Sequence, residues 1–290
     1  MKKLLVLAVL LIAVIASGCG DKFAKEKEAI TKAEQAAMAM KLPVVERPDF
    51  SKMPKPTNEE RQKIWKKYNE DFGKLVATEE KILEEMRKSD AQIAEMEKKA
   101  ESDSDKKNLK EFKDKLRKDR IEFVKRVSKG RLYGDPFVVG CGSTWQEVEM
   151  VYGKPINAGE NHPGSMVYKY DGIIFEDWIG GGVPPLEVRK RWKSRNVEVV
   201  TVTRNDITSD AGVKFGMTPE EVQKTLKAKY VKKSKYPKNG FEFSKIIDSR
   251  SKNEGYNVMH YSMKDTEPLF DATFIFEDGK LIKYIESMKP

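Results

Sequence analysis

Gly142-Ser143-Thr144-Trp145-Gln146-Glu147-Val148 and Gly216-Met217-Thr218-Pro219-Glu220-Glu221-Val222 spell the same local structure twice. In each, a glycine leads to a threonine with a glutamate three positions on. That spacing is a capping box: the threonine hydroxyl accepts from the backbone N–H three residues later, and the glutamate reaches back to the threonine N–H. Pro219 stands at the first helical position, where its missing N–H costs nothing. Both helices are short. Val148, Val151 and Tyr152 form the apolar side of the first, which Gly153-Lys154-Pro155 closes; Val222 and Leu226 form that of the second.

Period-two stretches follow each helix start, at residues 166–170, 173–178 and 197–203 and again at 258–263, 273–276 and 281–285. Phe175-Glu176-Asp177 recurs as Phe276-Glu277-Asp278, and the second runs into Gly279-Lys280, a hairpin turn. Hairpin chemistry accounts for the acidic pair in both copies. The offset between copies grows from 74 residues at the helix start to 101 at Phe-Glu-Asp. The second copy therefore has the longer excursion between helix and sheet, over residues 231–256. The first has its long loop at Ile179-Gly180-Gly181-Gly182-Val183-Pro184-Pro185. Alternating strands with a helix at the head of each copy predict an antiparallel sheet with helices on one face.

The Gly-x-Thr-x-x-Glu-Val helix start, the Tyr168-x-Tyr170 strand and the Phe-Glu-Asp-(Gly-Lys) hairpin together resemble the repeat of the SmpA/OmlA small-lipoprotein family and the related β-lactamase-inhibitor-protein-like fold. The resemblance spans residues 138–288, about half the chain. It implies tandem helix-plus-antiparallel-sheet modules that bind other proteins and have no active site. The family's small assembly lipoprotein has one such module and no long coiled coil, so its partner does not carry over. No position here matches an inhibitory contact, so inhibition does not carry over either.

Upstream of the repeats the composition changes to lysine, glutamate and spaced apolar residues. Thr57-Asn58-Glu59-Glu60 is another capping box, and Trp65, Tyr68, Phe72, Leu75, Glu79, Ile82, Met86, Ser89, Ile93, Met96 and Ala100 follow at alternating intervals of three and four. That is a coiled-coil seam with two polar interruptions, Glu79 and Ser89. New cap residues at Ser102 and Asp103 open a second amphipathic helix with Leu109, Phe112, Leu116, Phe123, Val124 and Val127 on one side, ended by Gly130. An antiparallel hairpin is expected. The first helix is the longer, so its first half calls for a further partner, either self-association or a helix over residues 24–40. Residues 41–56 hold Pro43, Pro48, Pro54 and Pro56 and read as an extended, semi-rigid linker.

The first residues fix where the protein is. Lys2 and Lys3 precede an unbroken apolar run over 4–16, too short for a comfortable membrane span, and Ala16-Ser17-Gly18-Cys19 ends it with small residues before a cysteine. This ending resembles a bacterial lipoprotein signal, which implies cleavage before Cys19 and fatty acylation (palmitate-type chains) of its thiol. Stable anchoring needs more than one acyl chain. The expected location is extracytoplasmic, on the bacterial cell membrane or the outer membrane. The organisation read from the chain is thus a signal peptide at 1–18, a membrane-proximal segment and linker at 19–56, a helical coiled-coil hairpin at 57–130, and α/β repeats at 131–205 and 206–290. The fold class is α+β.

Charged residues make up 35% of the 290, and the mean hydropathy of −0.63 describes a body that is very soluble once the leader is removed. Net charge is +9, or +7 without Lys2 and Lys3, which favours anionic partners such as lipid headgroups or wall polymers. Nucleic acid is not expected, because the lysines are interspersed with glutamates and the compartment is wrong. Cys141 is the only cysteine left after Cys19, so no intrachain disulfide forms and a small buried role is expected for it. His162 and His260 are the only histidines, which leaves no zinc site of usual ligand spacing, and no cofactor is expected. Gly153-Lys154-Pro155 lacks the spacing of a phosphate loop, and no Ser-His-Asp set or Gly-x-Ser-x-Gly motif presents itself.

The expected function is therefore a non-enzymatic, lipid-anchored envelope protein whose head binds or scaffolds another protein. Candidate contacts are Trp178 and Trp192 flanking the glycine loop, with Tyr168, Tyr170 and Phe175 on the sheet, since aromatics beside adaptable loops make good interface anchors. The alternative is a structural spacer or wall-contacting lipoprotein in which the coiled coil and positive charge matter most.

Overall fold

A computed structural model describes residues 21–46, 48, 55–132, 138–162, 165–178, 196–228, 242–246, 257–263 and 269–289. The leader with Cys19, most of residues 47–54, the glycine loop with Trp192, and most of the 231–256 excursion lie outside the described residues, as do the side chains of His162, Trp178 and His260.

The class is α+β. Helices α1 (Ala24–Met38), α2 (Asn58–Lys99) and α3 (Asp103–Val127) precede α4 (Trp145–Tyr152), strands β1 (Asn157–His162), β2 (Ser165–Tyr170), β3 (Ile173–Trp178) and β4 (Val199–Val202), then α5 (Pro219–Leu226) and β5 (Glu242–Ile246), β6 (Asn257–Met263), β7 (Leu269–Glu277) and β8 (Lys280–Lys289). Among the described residues no helix is long and apolar enough to cross a membrane.

Every residue of the α2 seam is buried or half-buried, including both polar interruptions. The helix starts where Thr57 caps it: Glu60 N–H donates to Thr57 Oγ1 at 3.2 Å and Thr57 N–H donates to Glu60 Oε2 at 2.8 Å. Ser102 caps α3, accepting from Asp105 N–H at 3.0 Å.

The chain divides into two compact units, and the division runs across the long helices, after Leu83 and after Lys118. The sequence-based boundaries at 57 and 130 are not the boundaries of compactness. In the first unit α1, the second half of α2 and the first half of α3 enclose one core. Phe23, Ile30, Ile93, Met96, Leu109 and Leu116 are buried there, with Ala100 and Phe112 against them. Helix α1 therefore covers the second half of α2. The expectation that it serves the first half is corrected. Two spaced apolar stripes, on α2 and on α3, leave a groove at their turn, and the Phe23–Ile30 face of α1 fills it.

In the second unit the first half of α2 finds other partners. Phe72, Leu75 and Val76 pack with Val45 and with the partly buried Leu42 and Tyr68. Leu42 and Val45 are thus packed against α2, with Val44 between them exposed; Pro48 is buried too. The sheet of this unit is antiparallel throughout, in the order β1-β2-β3-β4-β8-β7-β6-β5. It is continuous across the β4–β8 pair, so residues 131–205 and 206–290 share one sheet. Strands β1 and β5 were not expected: Asn-Ala-Gly-Glu-Asn-His has no β-branched or aromatic residue to signal β1. Both capping boxes form, with Glu147 N–H donating to Thr144 Oγ1 at 3.0 Å and Glu221 N–H to Thr218 Oγ1 at 3.3 Å.

Asp278-Gly279 forms the expected β7–β8 turn, both residues at positive φ. Phe175-Glu176-Asp177 does not turn: it lies inside β3, with Asp177 fully buried opposite Met166. The β2–β3 turn is made instead by Asp171-Gly172. The hairpin explanation of the acidic pair is corrected for the first copy.

Candidate functional site

Side chains alternate across a strand, so register sorts them into faces. Phe175, Val200, Glu286 and Ala272 stand in one cross-strand row; Ile173, Val202, Tyr284 and Phe274 stand in the next. All eight are buried. Helix α4 covers part of this inner face. The Trp145 ring meets Tyr168 edge-on at 4.8 Å, and Tyr152 lies 5.6 Å from Phe175.

On the opposite parity the rows are Ile174, Thr201, Ile285 and Thr273, and beside them Glu176, Val199, Ser287 and Asp271. Each of these is half-buried. The first row consists of β-branched residues on four adjacent strands, edged by carboxylates in the second. The strip is partly apolar, with carboxylates along one edge.

The sequence-based contact residues fall elsewhere. Tyr168 and Phe175 are 5% and 1% exposed on the inner face, and a side chain closed off by α4 and its neighbours has no surface to offer a partner. Tyr170 has the same parity. Its ring lies 5.4 Å from Tyr152, and its hydroxyl donates to the Gly153 carbonyl at 2.9 Å. Tyr168 and Phe175 are therefore core residues, and Tyr170 is half-buried beside them. Trp178 contributes its backbone to the β2–β3 ladder opposite Ser165, while Trp192 lies outside the described residues. Parity was available in the sequence: odd positions of β3 and even positions of β2 hold the aromatics that a helix-covered face wants, and the outer row is the complement.

A second constellation joins the head to α2. Glu79, Arg131, Thr144 and Glu147 are all fully buried. Arg131 pairs through Nη2 with Glu147 Oε1 and donates through Nε to the Gly142 carbonyl at 3.1 Å. Its guanidinium also lies 5.9 Å from the Phe72 ring. Thr144 Oγ1 donates to Glu79 Oε2 at 2.6 Å while accepting from Glu147 N–H. Beside it Gln146 Nε2 donates to Glu80 Oε2 at 2.9 Å. Burial, and next the charge of Glu147, push the Glu79 carboxyl well above its ordinary range, against the opposing pull of Arg131 and the Thr144 hydrogen bond. One guanidinium thus faces two carboxyls, of which Glu147 is the directly paired one. All four groups are enclosed, and together they fasten the loop before α4 to α2. Glu79 had shown itself in the sequence as a charge on an apolar seam; Arg131 gave no signal.

Cys141 is fully buried, its thiol donates to the Glu198 carbonyl at 3.1 Å, and burial pushes its pKa up, so it is an unreactive thiol. An open groove of about 660 Å³ lies between Ala211, Met217, Thr225 and Ala228, with Glu221 and Lys224 on its wall. Glu221 there is already engaged by the α5 cap. Among the described residues no group of three His, Cys, Asp or Glu is placed to hold a metal. Comparison of the chain with protein-family models, curated proteins and solved structures found no match.

Proposed function

We propose that this protein is a lipid-anchored, extracytoplasmic component of a bacterial envelope, on the cell membrane or the outer membrane, whose head binds another protein and carries out no catalysis. The observation that carries the binding role is the half-buried row Ile174, Thr201, Ile285 and Thr273 on the outer parity of the sheet. The anchoring half of the reading rests on Ala16-Ser17-Gly18-Cys19 behind an apolar run.

The head reads as two tandem helix-plus-sheet modules, of the kind the SmpA/OmlA resemblance suggests. The turns before α4 and α5 engage equivalent partners. Gly142 N–H donates to the Val197 carbonyl at 2.9 Å and Val197 N–H returns to Ser143 at 2.8 Å; Gly216 N–H donates to Leu281 at 2.9 Å and Leu281 N–H returns to Met217 at 2.9 Å. Each helix is followed by a four-stranded meander, and the two meanders meet at their last strands, β4 and β8. The outer row runs across the β4–β8 pair, so a partner on that row would touch strands that follow each of the two short helices.

Photo-crosslinking tests the reading. A crosslinking amino acid at Ile174 or Thr201 of the full-length lipoprotein is expected to trap a discrete envelope protein, and one at Gln223 is not. Ile285→Asp is expected to abolish the adduct while leaving the circular dichroism spectrum unchanged. Equal trapping from all three positions defeats the assignment of the face.

The spacer or wall-contact reading is favoured by one observation. Helix α3 carries ten lysines and arginines against six acidic residues, with Lys110, Lys113, Lys115, Arg117 and Lys118 exposed. It predicts binding to anionic wall polymer that weakens as salt rises, because exposed charges are screened.

A further inference from the structure

The segment that follows the anchoring cysteine is docked onto the turn between α2 and α3. Lys22 Nζ donates to the Lys99 carbonyl at 2.9 Å and lies 3.7 Å from Glu101. Lys27 Nζ donates to the Asn108 carbonyl at 3.1 Å and pairs with Asp21 at 2.8 Å. Phe23 is 4% exposed in the core formed with Met96 and Leu109. Lys99 and Asn108 flank the turn, so the chain is held at this tip from Asp21 onward.

Cys19 is two residues before Asp21, and two residues of fully extended chain reach about 7 Å. A thioether-linked glyceride keeps its sulfur at the bilayer surface. The headgroup layer on each side of the hydrocarbon is about 5–7 Å deep. The tether is thus about as long as the layer is deep, and whatever holds Asp21 lies at or next to the headgroups.

We infer that the α2–α3 turn, residues 99–108, is a membrane-contacting surface seated on the phospholipid headgroups, held there by the docked segment Asp21–Phe23. This rests on the lipid-anchor reading above and deepens it. The proline-bearing residues 43–56 follow that attachment in the chain and so do not lie between it and Cys19. The contact depends on the tether rather than on charge. Lys22, Lys25, Lys27, Lys98, Lys99, Lys106 and Lys107 lie at this end, and Asp21, Glu26, Glu97, Glu101, Asp103 and Asp105 offset all but one of them. A headgroup layer suits such a surface. The turn Glu101-Ser102-Asp103-Ser104 is polar and exposed, with nothing apolar to insert into hydrocarbon.

The test uses the mature lipoprotein with Ser104→Cys carrying a fluorophore, reconstituted into phosphatidylethanolamine–phosphatidylglycerol vesicles that contain headgroup-nitroxide lipid. Cys141 is buried and leaves the label site unique. Most of the fluorescence is expected to be quenched in the native background and restored in the acylated double variant Phe23→Asp, Ile30→Asp, which undocks α1. Intact mass of the N-terminus is measured on the same samples. An acylated protein with an unquenched probe overturns the inference and leaves the anchor standing. An N-terminus without acyl groups overturns both. Quenching that survives in the acylated double variant overturns the role given to the docked segment. The unacylated protein is expected to ignore anionic vesicles; binding at low salt overturns the claim that the tether, not charge, brings the turn to the surface.

Discussion

The hydroxyl of Thr144, the residue that caps α4, donates a 2.6 Å hydrogen bond to the carboxyl of Glu79 in the middle of α2. The same oxygen accepts from the Glu147 backbone. A local helix cap is thereby also a long-range fastening, and its two roles separate by mutation.

Thr218→Ala removes the capping box of α5, and is expected to cost about 1 kcal/mol. Thr144→Ala removes the cap and also strands the buried Glu79 carboxyl, which adds about 1–3 kcal/mol. Urea denaturation of the two variants is expected to show the larger loss at Thr144, and Thr144→Ser is expected to recover most of it.

Stability is expected to fall with rising pH through Glu79. Its folded pKa lies above the ordinary value of 4.5, for reasons of burial first and Glu147 second. Between the two values the folded state binds the proton that the unfolded state has released. The stabilisation is full below the ordinary value and is lost as pH rises through the folded one. One proton changes stability by at most about 1.4 kcal/mol per pH unit across that window. Glu79→Gln keeps an acceptor for Thr144 and has no proton to lose. Its stability relative to the native protein is expected to rise from pH 4 to pH 9; a flat difference means that Glu79 is ionised in the fold.

Arg131→Met leaves Glu147 buried with its cation gone, and breaking a buried pair from one side costs about 3–5 kcal/mol. The double variant Arg131→Met, Glu147→Gln removes the stranded charge and is expected to be more stable than Arg131→Met alone. A double-mutant cycle by chemical denaturation measures the coupling.

Gly172 and Gly279 test backbone strain against crowding. Both sit in β-turns at positive φ, +69° and +72°. A Cβ at Gly172 meets the Arg204 Cβ at 2.7 Å, and at Gly279 it meets nothing within 4 Å. Gly279→Ala is expected to cost about 1–2 kcal/mol from left-handed backbone alone. Gly172→Ala is expected to cost more, by the shift forced on the Thr203-Arg204 backbone, whose Thr203 N–H bonds to the Gly172 carbonyl at 2.8 Å.

Much of the architecture was legible because it is local. The cap at Thr57, the seam from Trp65 to Ala100, the paired capping boxes and most of the strands all follow from spacing within a few residues. Strand β1 escaped because its six residues have no β signal of their own; β2 holds it in place through the ladder. The site was less legible. Tyr168 and Phe175 are aromatic and near a loop, which suits an interface, but only the parity of neighbouring strands and the position of α4 decide that their face is the covered one.

The sequence by itself determined the helices, the turns and the strand alternation, since each depends on contacts or dihedrals within a turn or two of chain. Tertiary structure alone decided that Glu79 meets Thr144, that α1 serves the second half of α2, that β4 meets β8, and that Lys22 and Phe23 lie on the α2–α3 turn. Those pairings join residues far apart in the chain. Burial of complementary surfaces selects them, and no spacing in the sequence encodes which distant surface is complementary.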